Sequence, residues 1–103
     1  MNKIESINWI RKVCGNGWLP LIESVYKQLP PDVTIISVYQ KWGALRFDTD
    51  VENEIFQKYL EKIEQNSLTI CEVCGESGTE YTVNNWIHTL CKHHFDSKVF
   101  FEK

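Results

Sequence analysis

Cys71-Glu72-Val73-Cys74-Gly75, followed by Cys91-Lys92-His93-His94, writes out the pattern C-x2-C-x16-C-x2-H. Thiolate and imidazole are the donors that a four-coordinate zinc takes. Each short pair can bite one ion, and the spacer between them can bring the pairs face to face. The pattern therefore predicts a zinc site made by Cys71, Cys74, Cys91 and His94. His93 is the alternative fourth donor; it stands closer to Cys91 and points elsewhere on a helix, whereas His94 keeps the usual two-residue gap. Gly75 suits the sharp turn after the second thiol, since glycine adopts left-handed backbone angles without steric cost. Four protein donors leave no open position for an activated water, so the zinc is expected to be structural.

Four cysteines in 103 residues also permit two disulfides. Against that chemistry, the first residues lack the basic start, apolar stretch and small-residue cleavage site of an export signal. A cytoplasmic location is therefore expected, with Cys14 left over as a small buried hydrophobe. His88 is expected on the surface of a hairpin rather than at the metal.

Other reaction chemistry is not written in the chain. There is no phosphate loop of the G-x-x-x-x-G-K-[ST] type, no G-x-G-x-x-G and no H-E-x-x-H. A metal-dependent nuclease would need a catalytic histidine in the finger's hairpin or helix, yet no Asp-His pair precedes His88 and no Asn-His pattern follows it. An enzyme is thus the less favoured class. The better candidate is a binding surface at Lys41, Trp42 and Arg46, where one large flat ring sits between two cations, as anchor residues of protein interfaces often do. The same trio could stack a base and clamp phosphate, and Trp42 could equally fill the core.

Charge limits these readings. The chain carries a formal net charge of −3. Residues 1–47 hold six basic against three acidic side chains, residues 48–80 nine acidic against two basic, and residues 81–103 return to near balance. A broad phosphate-binding face needs clustered Lys and Arg, so an extended nucleic-acid groove is disfavoured and a protein partner is expected first. No apolar run approaches the roughly 18 residues of a membrane span.

The elements that must position these groups follow from spacing. Ile4, Ile7, Ile10 (or Trp9) and Val13 recur at helical intervals, and Asn2 with Glu5 has the arrangement of a capping box, which predicts a helix over 2–13. Gly15-Asn16-Gly17 ends it. A second helix starts near Pro20 with Leu21, Ile22, Val25, Tyr26 and Leu29 as its stripe, and Pro30-Pro31 stops it. Residues 33–39 are β-branched and aromatic and read as a strand; Lys41 to Ala44 make the turn and Leu45-Arg46-Phe47 the return, with Arg46 opposite in face to Leu45 and Phe47. Asp50 is placed to cap a third helix with Val51, Ile55, Phe56, Tyr59, Leu60 and Ile63 on its apolar side. Asn84-Asn85 marks a tight turn between Tyr81-Thr82-Val83 and Trp86-Ile87-His88, and a last helix is expected from Cys91 to about Phe101. The expected fold class is α+β, one domain over residues 1–103, with a helix and hairpin half (1–67) fused to a zinc-finger half (68–103).

Two resemblances add to this. Knuckle, hairpin and ligand-bearing helix, in that order over residues 68–103, resemble a treble-clef zinc finger. Lys41-Trp42-Gly43-Ala44-Leu45-Arg46-Phe47, Gly17-Trp18-Leu19-Pro20-Leu21-Ile22, Cys71-Glu72-Val73-Cys74-Gly75 and Trp86-Ile87-His88-Thr89-Leu90-Cys91 together resemble a group of small, largely uncharacterised proteins of bacteria and their phages. That resemblance implies a metal-stabilised α+β protein and carries no reaction. The function expected is a cytoplasmic, zinc-stabilised protein-interaction module, of inhibitory or immunity type; a nucleic-acid-binding regulator is the alternative.

Overall fold

The side chain of Asn2 accepts from the Glu5 N–H at 2.8 Å while Glu5 Oε1 accepts from the Asn2 N–H at 2.9 Å, so the expected capping box opens helix α1 (Lys3–Val13) with both arms made. These contacts come from a computed structural model, which describes residues 1–97. The buried face of α1 differs from the expected stripe. Ile10 and Ser6 are fully buried and Ile7 and Cys14 pack beside them, whereas Ile4, Trp9 and Val13 stay exposed. Ile4 lies about 120° round the helix from Ile10, outside the arc that α2 and β1 cover.

Trp18, Pro20 and the apolar stripe produce α2 (Leu19–Gln28), which buries Ile22 and Val25 and ends as Leu29 turns extended before the proline pair. Trp18 is fully buried, and its indole N–H donates to the carbonyl of Ile70 at 2.9 Å. Strands β1 (Ile35–Lys41) and β2 (Ala44–Thr49) form an antiparallel hairpin in which Lys41 faces Ala44, Tyr39 faces Arg46 and Val38 faces Phe47. Leu45 is buried and Phe47 packs on the core, while Arg46 turns to an ion pair with Glu64, Nε to Oε1 3.0 Å.

Helix α3 (Glu54–Ser67) starts later than expected. Its cap is Asn53, whose side chain accepts from Phe56 N–H at 3.0 Å. Asp50 instead closes the open end of the hairpin, accepting from the Thr34 N–H at 2.8 Å. Val51 and Ile55 consequently remain exposed, and Phe56, Leu60 and Ile63 form the buried face. Ser67, also buried, ties the end of α3 to β2 by accepting from the Leu45 N–H at 2.9 Å.

A second antiparallel hairpin, β3 (Thr79–Val83) and β4 (Trp86–Leu90), turns on Asn84 and Asn85, with φ of 51° and 68°. Short polar side chains tolerate these left-handed angles, and two in succession match the twist of the strands. Helix α4 (Lys92–Ser97) follows; its expected continuation to Phe101 lies outside the described residues. The result is an α+β protein of two hairpins and four helices among the described residues, elongated at 42 × 22 × 22 Å. Its larger core gathers α1, α2, α3 and the first hairpin. A smaller one gathers Cys71, Val83 and Leu90 under the Cys/His cluster.

Candidate metal centre

The knuckle forms because its backbone satisfies itself. Cys71 N–H donates to Glu76 O at 2.7 Å, Gly75 N–H donates back to Cys71 O at 2.9 Å, and Gly75 takes the expected left-handed φ of 84°. Glu72 N–H then donates to Thr89 O at 2.9 Å, which fixes the knuckle against β4, the strand that leads to Cys91. Cys91 stands directly before α4, and Phe95 N–H donates to its carbonyl at 2.9 Å. Phe95 stacks on Tyr81 with ring centroids 3.9 Å apart and planes within 11°, holding the short helix on β3.

These constraints bring Cys71, Cys74, Cys91 and His94 together, with one donor atom from each inside 4.8 Å of the others. Cys74 Sγ lies 3.8 Å from Cys91 Sγ, Cys71 Sγ 3.7 Å from His94 Nδ1, and Cys91 Sγ 3.3 Å from the same nitrogen. A tetrahedral ion with metal–sulfur bonds of about 2.3 Å sets its sulfurs about 3.8 Å apart. The four residues are therefore positioned to bind a metal ion, and their chemistry and spacing are consistent with zinc. His94, not His93, supplies the nitrogen: His93 is exposed, and its ring meets His94 edge-on at 5.1 Å between centroids.

Thiol electrostatics differ between the cysteines. The His94 backbone N–H, donating to Cys91 Sγ at 3.5 Å, is the main cause holding the Cys91 thiol below its ordinary pKa. Cys74, although exposed, is pushed up to about 11, chiefly by partial desolvation, with the neighbouring thiols adding to the rise against the opposing backbone of Glu76. Three thiolates this close repel one another, and a divalent cation supplies the charge that lets all three ionise.

The first half of the chain reaches this centre through the loop after α1. Asn16 N–H donates to Val73 O at 3.2 Å and Gly17 N–H to Glu72 O at 2.9 Å. At Gly17 an added Cβ would drive into the carbonyl oxygen of Cys71. The tip of the first hairpin docks on the second: buried Thr89 donates its hydroxyl to Gly43 O at 2.7 Å, and Gln40 Nε2 donates to Ile87 O at 2.9 Å.

Sequence reasoning missed Glu72. Acidic side chains are seldom fully buried, yet this carboxylate is. Its Oε1 accepts from Thr89 N–H at 3.1 Å, from His88 Nδ1 at 3.1 Å and from Gln40 Nε2 at 3.3 Å. Oε2 has no hydrogen-bond partner among the described residues. His88, expected at the surface, is accordingly half-buried, with 14 % of its side chain exposed. Beside the carboxylate stands Cys14, apart from the metal-ligating group; burial first, then the charge and hydrogen bonding of Glu72, push its thiol far above the ordinary range. The buried hydrophobe expected here is instead half-buried, and, as expected, it is not one of the four clustered donors.

The proposed surface trio is split in its contacts. Trp42 is 70 % exposed at the hairpin tip, with a left-handed φ of 53°, and Lys41 Nζ lies 5.3 Å from its ring centre. Arg46 is engaged by Glu64. No helix among the described residues is long and apolar enough to cross a membrane. No protein-family model matches the chain, and comparisons with curated proteins and with solved structures return no match.

Proposed function

We propose that the protein is a zinc-stabilised protein-interaction module, whose metal is structural and whose contact surface is the Trp42 tip of the first hairpin. Cys71, Cys74, Cys91 and His94 together complete a tetrahedral set, which leaves zinc no position for substrate water and gives it a folding role. Knuckle, β3–β4 hairpin and ligand-bearing helix follow one another as in a treble clef. A reducing compartment suits such thiolates, in keeping with a cytoplasmic location.

The observation that carries the binding role is the conformation of Trp42. Both central residues of the β1–β2 turn have positive φ, Trp42 at 53° and Gly43 at 81°. Asn, Asp or Gly is the ordinary occupant of the first position. A tryptophan there bears roughly 1–2 kcal/mol of left-handed strain and leaves its ring in water, so neither local conformation nor core packing accounts for the residue. An exposed indole on a turn whose base is locked to β4 through Thr89 is a rigid anchor, the type of side chain that dominates protein interfaces.

Nucleic-acid binding is the weaker reading. Arg46 is tied to Glu64, which leaves Lys41 as the remaining cation of the trio, and Asp48 lies two residues beyond Arg46 on the same strand. The test is recovery of partners from a bacterial lysate with and without nuclease, followed by binding of wild type, Trp42→Ala and Lys41→Ala across a salt series. A partner protein that Trp42→Ala weakens by about 2 kcal/mol or more, with modest salt dependence, supports the proposal. Oligonucleotide binding that collapses with salt and whose slope falls by about one on removal of Lys41 overturns it.

A further inference from the structure

Between α1, β1 and the tip of the second hairpin lies a cleft of about 420 Å3 with mainly apolar walls. Trp9 and Val13 come from one exposed shoulder of α1, Tyr39 and Gln40 from β1, and Trp86 from the start of β4. Glu72 forms part of its lining, fully buried, with Oε1 held by three donors and Oε2 by none. Leaving a buried carboxylate oxygen without a donor is costly. The Cys14 thiol beside the carboxylate interacts with it, but a thiol is a weak donor and offsets little of that cost.

Both large side chains at the mouth are exposed without a packing reason, Trp9 by 45 % and Trp86 by 68 %. Indole faces attract cations, and a desolvated carboxylate attracts them more strongly. A Cys-His-carboxylate catalytic group is not the meaning of this cluster: the Cys14 thiol is held protonated, the reverse of an activated nucleophile.

We propose that this cleft binds an organic cation with N–H donors, an alkylammonium or guanidinium group, with the Glu72 carboxylate in the cleft lining as its counter-charge and Trp9 and Trp86 as its walls. The site does not depend on the Trp42 surface. The same chemistry is offered by a free small amine or by a Lys or Arg side chain of a partner segment, and the probes separate the two.

Indole N–H resonances of Trp9 and Trp86 would be followed by NMR in the zinc-loaded protein during titration with agmatine, N-acetyl-arginine amide, its citrulline counterpart and an Ala-Ala-Arg-Ala-Ala peptide. Saturable shifts are expected for the guanidinium probes, with the citrulline compound at least about tenfold weaker, since it lacks the charge that the carboxylate requires. Tetramethylammonium, a cation without N–H, should also bind at least about tenfold more weakly. Tighter binding of the peptide than of agmatine assigns the site to a partner's side chain, and the reverse order to a free ligand. Trp86→Ala, at an exposed position, should keep the fold and weaken the best probe about fivefold. Equal affinity for the arginine and citrulline compounds, or no shift at millimolar probe with all indole signals native, would overturn the proposal.

Discussion

Gly17 donates its N–H to Glu72 O at 2.9 Å, and its Cα presses so closely on the knuckle that a Cβ would collide with Cys71 O. The loop between the first two helices is thereby built into the wall of the metal centre. Gly17→Ala is expected to destabilise the protein by about 3 kcal/mol or more, because the obstructing atoms are backbone and cannot swing aside. Gly75→Ala makes an informative contrast: its Cβ would meet nothing closer than 3.4 Å, so only the left-handed φ of 84° is penalised, by about 1–2 kcal/mol. Chemical denaturation of both variants checks the order; equal losses would contradict the proposed close packing.

The first hairpin offers a test of which side chains carry the core. Leu45 is 1 % exposed, so Leu45→Ala should cost about 2–5 kcal/mol; half-buried Phe47 should lose somewhat less on truncation than the roughly 3–5 kcal/mol of a fully buried ring. Arg46→Ala removes an ion pair whose partners are 38 % and 30 % exposed, and solvent screening limits its expected cost to under about 1 kcal/mol. A loss at Arg46 as large as that at Leu45 would show that the pair is doing more than a surface contact can.

Much of this arrangement could be read from local chemistry. The Asn2–Glu5 box, the Asn84-Asn85 turn, the left-handed Gly75 and the spacing of the four candidate ligands each depend on a few neighbouring residues, so the sequence displays them directly. The errors came where tertiary context decides. Ile4 and Ile55 sit at helical spacing from core residues yet face water, since periodicity cannot say how wide an arc the partner elements cover. Asp50 and Asn53 are both plausible caps, and the bond from Thr34 N–H to Asp50, sixteen positions apart, settled which one was used. Glu72 was missed because its burial is produced by Gln40, Thr89 and His88, all distant in sequence.

At Trp42, stability and the proposed binding should oppose each other. Trp42→Asn places a residue that tolerates positive φ in the turn, so stability is expected to rise by about 0.5–1 kcal/mol in a melting or denaturant experiment. A decrease would mean that the indole packs on the protein and would remove the strain argument for an exposed anchor.

Cys14 predicts a pH dependence. Its folded pKa is raised above the ordinary value of 9.0 by burial and by Glu72, so the unfolded chain releases this proton first as pH rises. Stability from Cys14 is therefore fully present below about pH 9 and is lost above it at about 1.4 kcal/mol per pH unit. Comparing Cys14→Ala with wild type isolates this slope from tyrosine and lysine titration. The variant should lose stability less steeply between pH 9 and 10.5 and should retain its metal; identical slopes would contradict the desolvated, protonated thiol.

The metal centre is tested most directly by elemental analysis of freshly purified protein together with thermal melting before and after chelation. One zinc per chain is predicted, with chelation or Cys74→Ser lowering stability by several kcal/mol, in line with apparent binding energies of roughly 10–16 kcal/mol for structural zinc. Absence of zinc in fresh protein, or a Cys74→Ser variant with unchanged melting, would contradict the assignment of Cys71, Cys74, Cys91 and His94 as a structural zinc site.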